Sequence, residues 1–125
     1  MIAADLMIGD KVMVKVLSHI PDTYVLHTWT ANDYSRDLQV KPIPLTAKIL
    51  EKNGFVLRGK TYILKWRGAD IHWRKTDGYA SITAPNNLKL EGWCSISNGY
   101  FCYVNILQHA LRLCGLDELA DNFKV

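Results

Sequence analysis

Between Thr61 and Glu91 the chain places turn chemistry and alternating side chains in mutual agreement, and few folds can use that combination. A two-residue turn at Gly68-Ala69, with glycine first, would pair Trp66 with Ile71 and Leu64 with Trp73 on one face, leaving Lys65 opposite His72 and Arg67 opposite Asp70 on the other. An Asp77-Gly78 turn would then set Trp73 against Ile82, Arg74 against Ser81 and His72 against Thr83. A three-residue loop Pro85-Asn86-Asn87 extends the pattern, with Ile82 facing Leu90 inside and Thr83 facing Lys89 and Ser81 facing Glu91 outside. A one-residue slip would exchange the two faces. Three turns chosen on local grounds therefore predict one antiparallel meander with one apolar face, which sends Tyr62, Trp66 and Trp73 inward.

The segments on either side are expected to supply what covers that face. Val12, Val14 and Val16 alternate with Lys11, Met13 and Lys15 after a Gly9-Asp10 turn, predicting a half-buried strand within Leu6–Leu17. Tyr24–Trp29 and Leu38–Val40 predict two more strands, separated by a turn at Asn32-Asp33. Together they predict a small curled antiparallel sheet of SH3-like kind, too small to stand alone. Near the other end, Tyr103, Ile106, Leu107, Ala110, Leu111, Leu113 and Cys114 recur at helical spacing, with Asn105, Gln108, His109 and Arg112 on the polar side. Gly115 closes that helix, and a further turn begins at Asp117.

Residues 42–55 join the two β-rich halves. Pro42 and Pro44 hold Lys41 and Ile43 extended. Thr46 is a good helix N-cap, and Leu45 and Leu50 have hydrophobic-staple spacing. Gly54 followed by Phe55 predicts a Schellman stop. Two helical turns need burial to persist, so Leu45, Ile49, Leu50 and Phe55 are expected to plug the gap between the N-terminal strands and the meander-plus-helix layer. The fold class expected is α+β: one domain over 1–125, divided into an N-terminal β subdomain (1–41), a hinge helix (42–55), a β-meander (56–97) and C-terminal helices (98–125).

A chain of 125 residues, 49% hydrophobic and 22% charged, is long enough for a genuine core. It contains no apolar run of membrane-spanning length and no basic-then-apolar secretion signal, so no membrane partner is expected. Cys94, Cys102 and Cys114 are odd in number and lack CxxC spacing, which predicts free thiols in a reducing cytoplasm. His19, His27, His72 and His109 lie at no metal-ligand spacing with one another or with cysteine. No GxSxG, P-loop, GxGxxG or HExxH occurs. No metal, cofactor or catalytic activity is expected.

PIPLT and ILEKNGF in the hinge, the Gly9-Asp10 opening and Tyr103-Val104-Asn105-Ile106-Leu107-Gln108 resemble, in that order, a family of small proteins encoded in Bacteroidetes genomes, prophages and mobile elements. The resemblance implies a fold and brings no activity with it. Where the family usually carries histidine after Tyr-Val, this chain has Asn105, so no imidazole role is carried over.

Net charge is +3, and the excess is local: residues 58–97 hold Arg58, Lys60, Lys65, Arg67, Arg74, Lys75 and Lys89 against Asp70, Asp77 and Glu91. Such a segment attracts phosphate, although a solvated face is the commoner meaning of so small a surplus. Two functions follow. The first is a protein-interaction module, an accessory protein of phage or mobile-element origin that binds another protein or itself. The alternative is a weak nucleic-acid binder that uses the outer face of the meander through Lys65, Arg67, His72, Arg74 and Lys89, without stacking platforms because the aromatic rings point inward.

Overall fold

In the computed structural model, residues 6–15, 23–36, 38–85 and 93–125 are described. Period-two alternation becomes strand where it was strongest. β1 (Lys11–Lys15), β2 (Tyr24–Thr28) and β3 (Val40–Lys41) form an antiparallel sheet in the order β2-β1-β3. Val12 and Val14 face inward with Leu6 and Trp29, backed by Leu38 and Val40. Val16 lies outside the described residues. The Asn32-Asp33 turn is a short 3₁₀ helix, Ala31–Ser35, whose Asp33 carboxylate accepts from the backbone N–H and the hydroxyl of Thr30.

The hinge helix α1 (Ala47–Lys52) forms as its residues dictate. Thr46 accepts the Ile49 N–H at 3.3 Å. At the far end the Phe55 N–H reaches the Leu50 carbonyl and the Gly54 N–H the Glu51 carbonyl, with Gly54 at φ +89°, so the Schellman stop is present. Asn53, the C-cap, also holds the chain's other end: it donates to the Lys124 carbonyl and accepts the Lys124 N–H.

The larger sheet runs in the order β4 (Val56–Arg58), β5 (Thr61–Trp66), β6 (Ala69–Arg74), β7 (Tyr79–Pro85), β8 (Trp93–Tyr100), all neighbours antiparallel. The α+β class and the meander are therefore present. The apolar face is the expected one: Tyr62, Leu64, Ile71, Trp73 and Ile82 are buried and Trp66 is half-buried.

The register differs from expectation by two residues at each of the first two turns. Leu64 pairs with Ile71 and Tyr62 with Trp73, because the β5–β6 turn is Arg67-Gly68, both at positive φ. Ile71 pairs with Ile82 and Trp73 with Ala80, because residues 75–78 make a longer loop closed by the Gly78 N–H on the Arg74 carbonyl. A shift of two leaves every side chain on its face, which is why the face was legible and the partners were not. The third turn is corrected outright. Ile82 pairs with Ser97, Thr83 with Ser95 and Ser81 with Asn98, across a bulge at Ile82/Thr83. The proposed loop residues Asn86 and Asn87, with Lys89, Leu90 and Glu91, lie outside the described residues.

Helix α2 (Val104–Leu113) and α3 (Asp117–Asp121) cover the apolar face with Val104, Leu107, Ala110, Leu111, Ala120 and Phe123. Residues 98–100, expected within the C-terminal helical segment 98–125, end β8 instead, with Tyr100 its last residue. Helix α2 is also rotated relative to its expected faces. Asn105 and Gln108 are buried, while Ile106 is exposed and Leu113 is 74% exposed. The reason is that α2 is covered on two sides, by the larger sheet and by the Gly9–Lys11 turn of the small one.

The hinge does not merge the two halves into one core. Ile43, Leu45, Leu50 and Phe55 belong to the core of the larger sheet, and Val12, Val14, Trp29 and Leu6 form a separate cluster. Met13, on the opposite face of β1, is the half-buried residue of the small sheet that packs against the larger core. The extended Ile43–Leu45 stretch zips onto the chain leading into α2, with the Leu45 N–H on the Cys102 carbonyl and the Val104 N–H on the Ile43 carbonyl. The joint between the halves is otherwise polar.

Candidate nucleic-acid interface

Antiparallel register lines side chains up across a sheet, so a row on the outer face can be read from pairing. Arg58 lies opposite Thr61, Thr61 opposite Arg74, and Tyr79 opposite Tyr100. The Arg74 guanidinium stands 5.2 Å from the centre of the Tyr79 ring. The Tyr79 and Tyr100 rings meet edge to face, 5.2 Å apart at 72°. The row Arg58–Thr61–Arg74–Tyr79–Tyr100 thus crosses all five strands with cations at one end and aromatic rings at the other, and Tyr100 is 63% exposed.

Two loops bring more charge to the same edge. The Lys75 N–H donates to the Lys60 carbonyl at 2.8 Å, which ties the β4–β5 turn to the β6–β7 loop and sets the two lysines side by side. Arg58, Lys60 and Lys75 are exposed and form no ion pair among the described residues. Arg74 is held in place by Asp77 through Nε–Oδ1 at 2.8 Å and Nη2–Oδ2 at 2.5 Å. The hydrogen bonds from Arg74, with the Tyr79 N–H, hold the Asp77 carboxyl down to about 2, so it stays ionised and Arg74 stays aimed. Among the described residues, four cations face one carboxylate at this edge.

Beside the row, where β4 stops short of the end of β5, lies an open groove of about 620 Å³. Its walls include Val56, Arg58, Ile63, Lys65, Asp70 and His72. Of the residues expected to form the site, Lys65 and His72 are in this groove and Arg74 is in the row. Lys65 lies opposite Asp70, and His72 lies between Ile63 and Ser81. Arg67 is elsewhere. It occupies the β5–β6 turn at φ 47°, lies 4.4 Å over the Trp66 ring, and makes a two-pronged pair with Glu118 of α3. Lys89 lies outside the described residues.

Tyr79 and Tyr100 are not among the rings expected from sequence, although Tyr79 alternates outward from the buried Ala80. Tyr100 carried a misleading signal, since it stands just ahead of the helical pattern. The expectation of a face without stacking rings is corrected accordingly.

A second polar cluster was missed entirely. Asp10, fully buried, receives His109 Nε2 at 2.5 Å, Arg112 Nη1 at 2.5 Å and the Met7 N–H at 2.8 Å. Burial alone would raise the Asp10 carboxyl, but the hydrogen bonds from His109, Met7 and Arg112 outweigh it and hold the group below the usual carboxylate range. Gln108, also fully buried, accepts the Lys11 N–H and donates to the carbonyls of Gly9 and Ala120. Gly9-Asp10, the residues ahead of the hinge helix and the Tyr103–Gln108 stretch therefore meet in one joint. An Asp–His pair can serve as a general base, but no hydroxyl or thiol among the described residues bonds His109. Burial pushes the Cys114 thiol up to about 11, which leaves it unreactive. The cluster ties the Gly9–Lys11 turn of the small sheet to α2.

Asn105 is buried in α2 with its Oδ1 unpaired among the described residues. Those residues contain no group of three or more His, Cys, Asp or Glu able to hold a metal ion. No helix among them is long and apolar enough to cross a membrane. The chain matches no protein-family model, no curated protein and no solved structure.

Proposed function

We propose that the chain binds single-stranded nucleic acid along the outer face of its five-stranded sheet. The observation that carries this reading is the row Arg58–Thr61–Arg74–Tyr79–Tyr100, paired across β4–β5–β6 and β7–β8, joined at Arg74–Tyr79 by the cation–ring contact, and flanked by Lys60 and Lys75. Adjacent strands are about 4.8 Å apart, so the row presents cations and ring faces at intervals a splayed strand can follow. The cations neutralise phosphates, and an exposed ring accepts a base of any sequence on its face. A duplex, whose bases are already stacked, gains only the phosphate contacts. Free thiols at Cys102 and Cys114 suit a reducing, cytoplasmic setting.

Fluorescence polarisation with labelled single-stranded DNA and RNA near 50 mM salt tests the reading. Binding should weaken steeply with added salt. Tyr100→Ala should cost roughly tenfold, the loss of one base–ring stack. Changing Arg58 and Lys75 together to alanine should flatten the logarithmic salt slope by about 1.4, since each phosphate contact on a single strand contributes about 0.7. Absence of binding at low salt, or indifference to Tyr100→Ala, overturns it.

A second reading, the protein-interaction module, has its own support. Val25 and Leu26 are exposed on edge strand β2, and Val56 and Leu57 on edge strand β4. Open edges with aliphatic side chains are where another strand adds. Chromatography with light scattering decides self-association, and a concentration-independent monomer removes that form of it. The resemblance to prophage and mobile-element proteins suits either role. Virion genes beside this one would favour a protein partner, and nucleic-acid enzymes would favour the sheet face.

A further inference from the structure

We infer that the groove beside the row takes a guanine base of the bound strand, read by the Asp70 carboxylate; this rests on the nucleic-acid reading above and adds base specificity to it. The groove, at about 620 Å³, has the dimensions of a small-ligand site, roughly 300–1,000 Å³. It is continuous with the row, because Arg58 belongs to both. A strand that follows the row from the tyrosines past Arg74 to Arg58 arrives at the groove, which Arg58 also lines. Val56 and Ile63, cross-strand partners on its aliphatic wall, offer a flat apolar surface to the face of a ring.

What selects the base is Asp70. It is half-buried, and its carboxylate makes no hydrogen bond or ion pair among the described residues. A carboxylate on this cationic surface repels phosphate and favours a group that offers N–H donors. Ionised, it offers only acceptors, arranged for two parallel bonds. Guanine presents two adjacent donors on its Watson–Crick edge, N1–H and the N2 amino group. Adenine and cytosine set their amino group beside an acceptor nitrogen, and uracil sets its one N–H between two carbonyls. Lys65, directly opposite Asp70, is placed to donate to guanine O6, which adjoins N1 on the same edge. The other chemistry that would satisfy Asp70 is an arginine side chain of a protein partner.

The test uses the full chain and fluorescently labelled uridine octamers with one central position changed to guanosine, inosine, adenosine or cytidine. Inosine lacks only the N2 amino group. The guanosine octamer should bind about tenfold more tightly than the inosine octamer, the loss of one hydrogen bond to a charged group. Guanosine monophosphate should compete for it, while N-acetyl-arginine amide should not. Asp70→Ala, which removes both acceptor oxygens, should erase the guanosine-over-inosine difference and leave affinity for the unsubstituted uridine octamer undiminished. Uridine binding with no guanosine preference overturns the inference and leaves the wider reading standing. A preference that survives Asp70→Ala, or competition by the arginine amide alone, also overturns it. No binding by any octamer near 50 mM salt overturns both.

Discussion

Arg67 has a positive φ of 47°, a conformation that costs an L-residue with a side chain roughly 1–2 kcal/mol. The two-residue turn demands it, because both central positions of such a turn lie at positive φ, and Gly68 satisfies only one. Stacking on Trp66 and the pair with Glu118 offset part of that cost at a site that is largely exposed. Asparagine tolerates the left-handed region, so Arg67→Asn should raise stability in denaturant melts by about 0.5–1 kcal/mol. It should leave nucleic-acid affinity unchanged, since Arg67 lies away from the row. A large loss of binding would return Arg67 to the interface. Residue identity thus made Arg67 look like a phosphate ligand, and the turn geometry assigns it to the helix side.

The hinge helix is the element whose every part was predictable from local chemistry: N-cap, staple spacing, glycine stop and apolar follower are all close in sequence. Leu50 is fully buried in the larger core, touched by tertiary neighbours rather than by its own helix alone. Leu50→Ala should therefore cost about 2–5 kcal/mol, read from urea melts. A loss well under 1 kcal/mol would mean the site collapses around the missing methyls. Helix α2 shows the opposite case. Its period was legible, but its orientation was not, because a periodic pattern does not say how many sides of a helix are covered. Gln108 and Asn105 read as a polar face only while one sheet is assumed to lie against it.

Across the whole molecule, the two hydrophobic clusters are joined through Asp10, Gln108, His109 and Arg112, so the union of the halves depends on charge. Asp33 contributes a similar arrangement within the small sheet, where His27, aided by Thr30 and opposed by burial, holds its carboxyl down to about 2. Both acids have folded values below their unfolded ones. The folded chain then binds fewer protons than the unfolded chain near pH 4 and below, so the stability they provide is present above that pH and drains away as pH falls toward 2. Denaturant midpoints should fall steeply between about pH 5 and pH 2, and Asp33→Asn should flatten the fall. Asp10→Ala takes the buried acceptor from both His109 and Arg112, leaves Arg112 only its 3.2 Å bond to the exposed Asp121, and should cost about 3–5 kcal/mol near neutral pH. Hydrogen exchange should report the loss first in β1 and β2; uniform loss across both sheets would show one cooperative core instead.

The sequence by itself determined which residues alternate, where backbone must turn and how the hinge helix starts and stops, because those follow from interactions within a few residues. It also determined the buried face of the meander, which survives any even-numbered slip in register. Tertiary structure decided the partners across each turn, the second covered side of α2 and the meeting of Gly9-Asp10 with Gln108 and His109, some hundred residues apart. It also decided the candidate interface. Tyr79 and Tyr100 are twenty-one residues apart in the chain and become neighbours only through the β7–β8 pairing. Local chemistry chooses conformations one segment at a time; only packing chooses which segments share a surface.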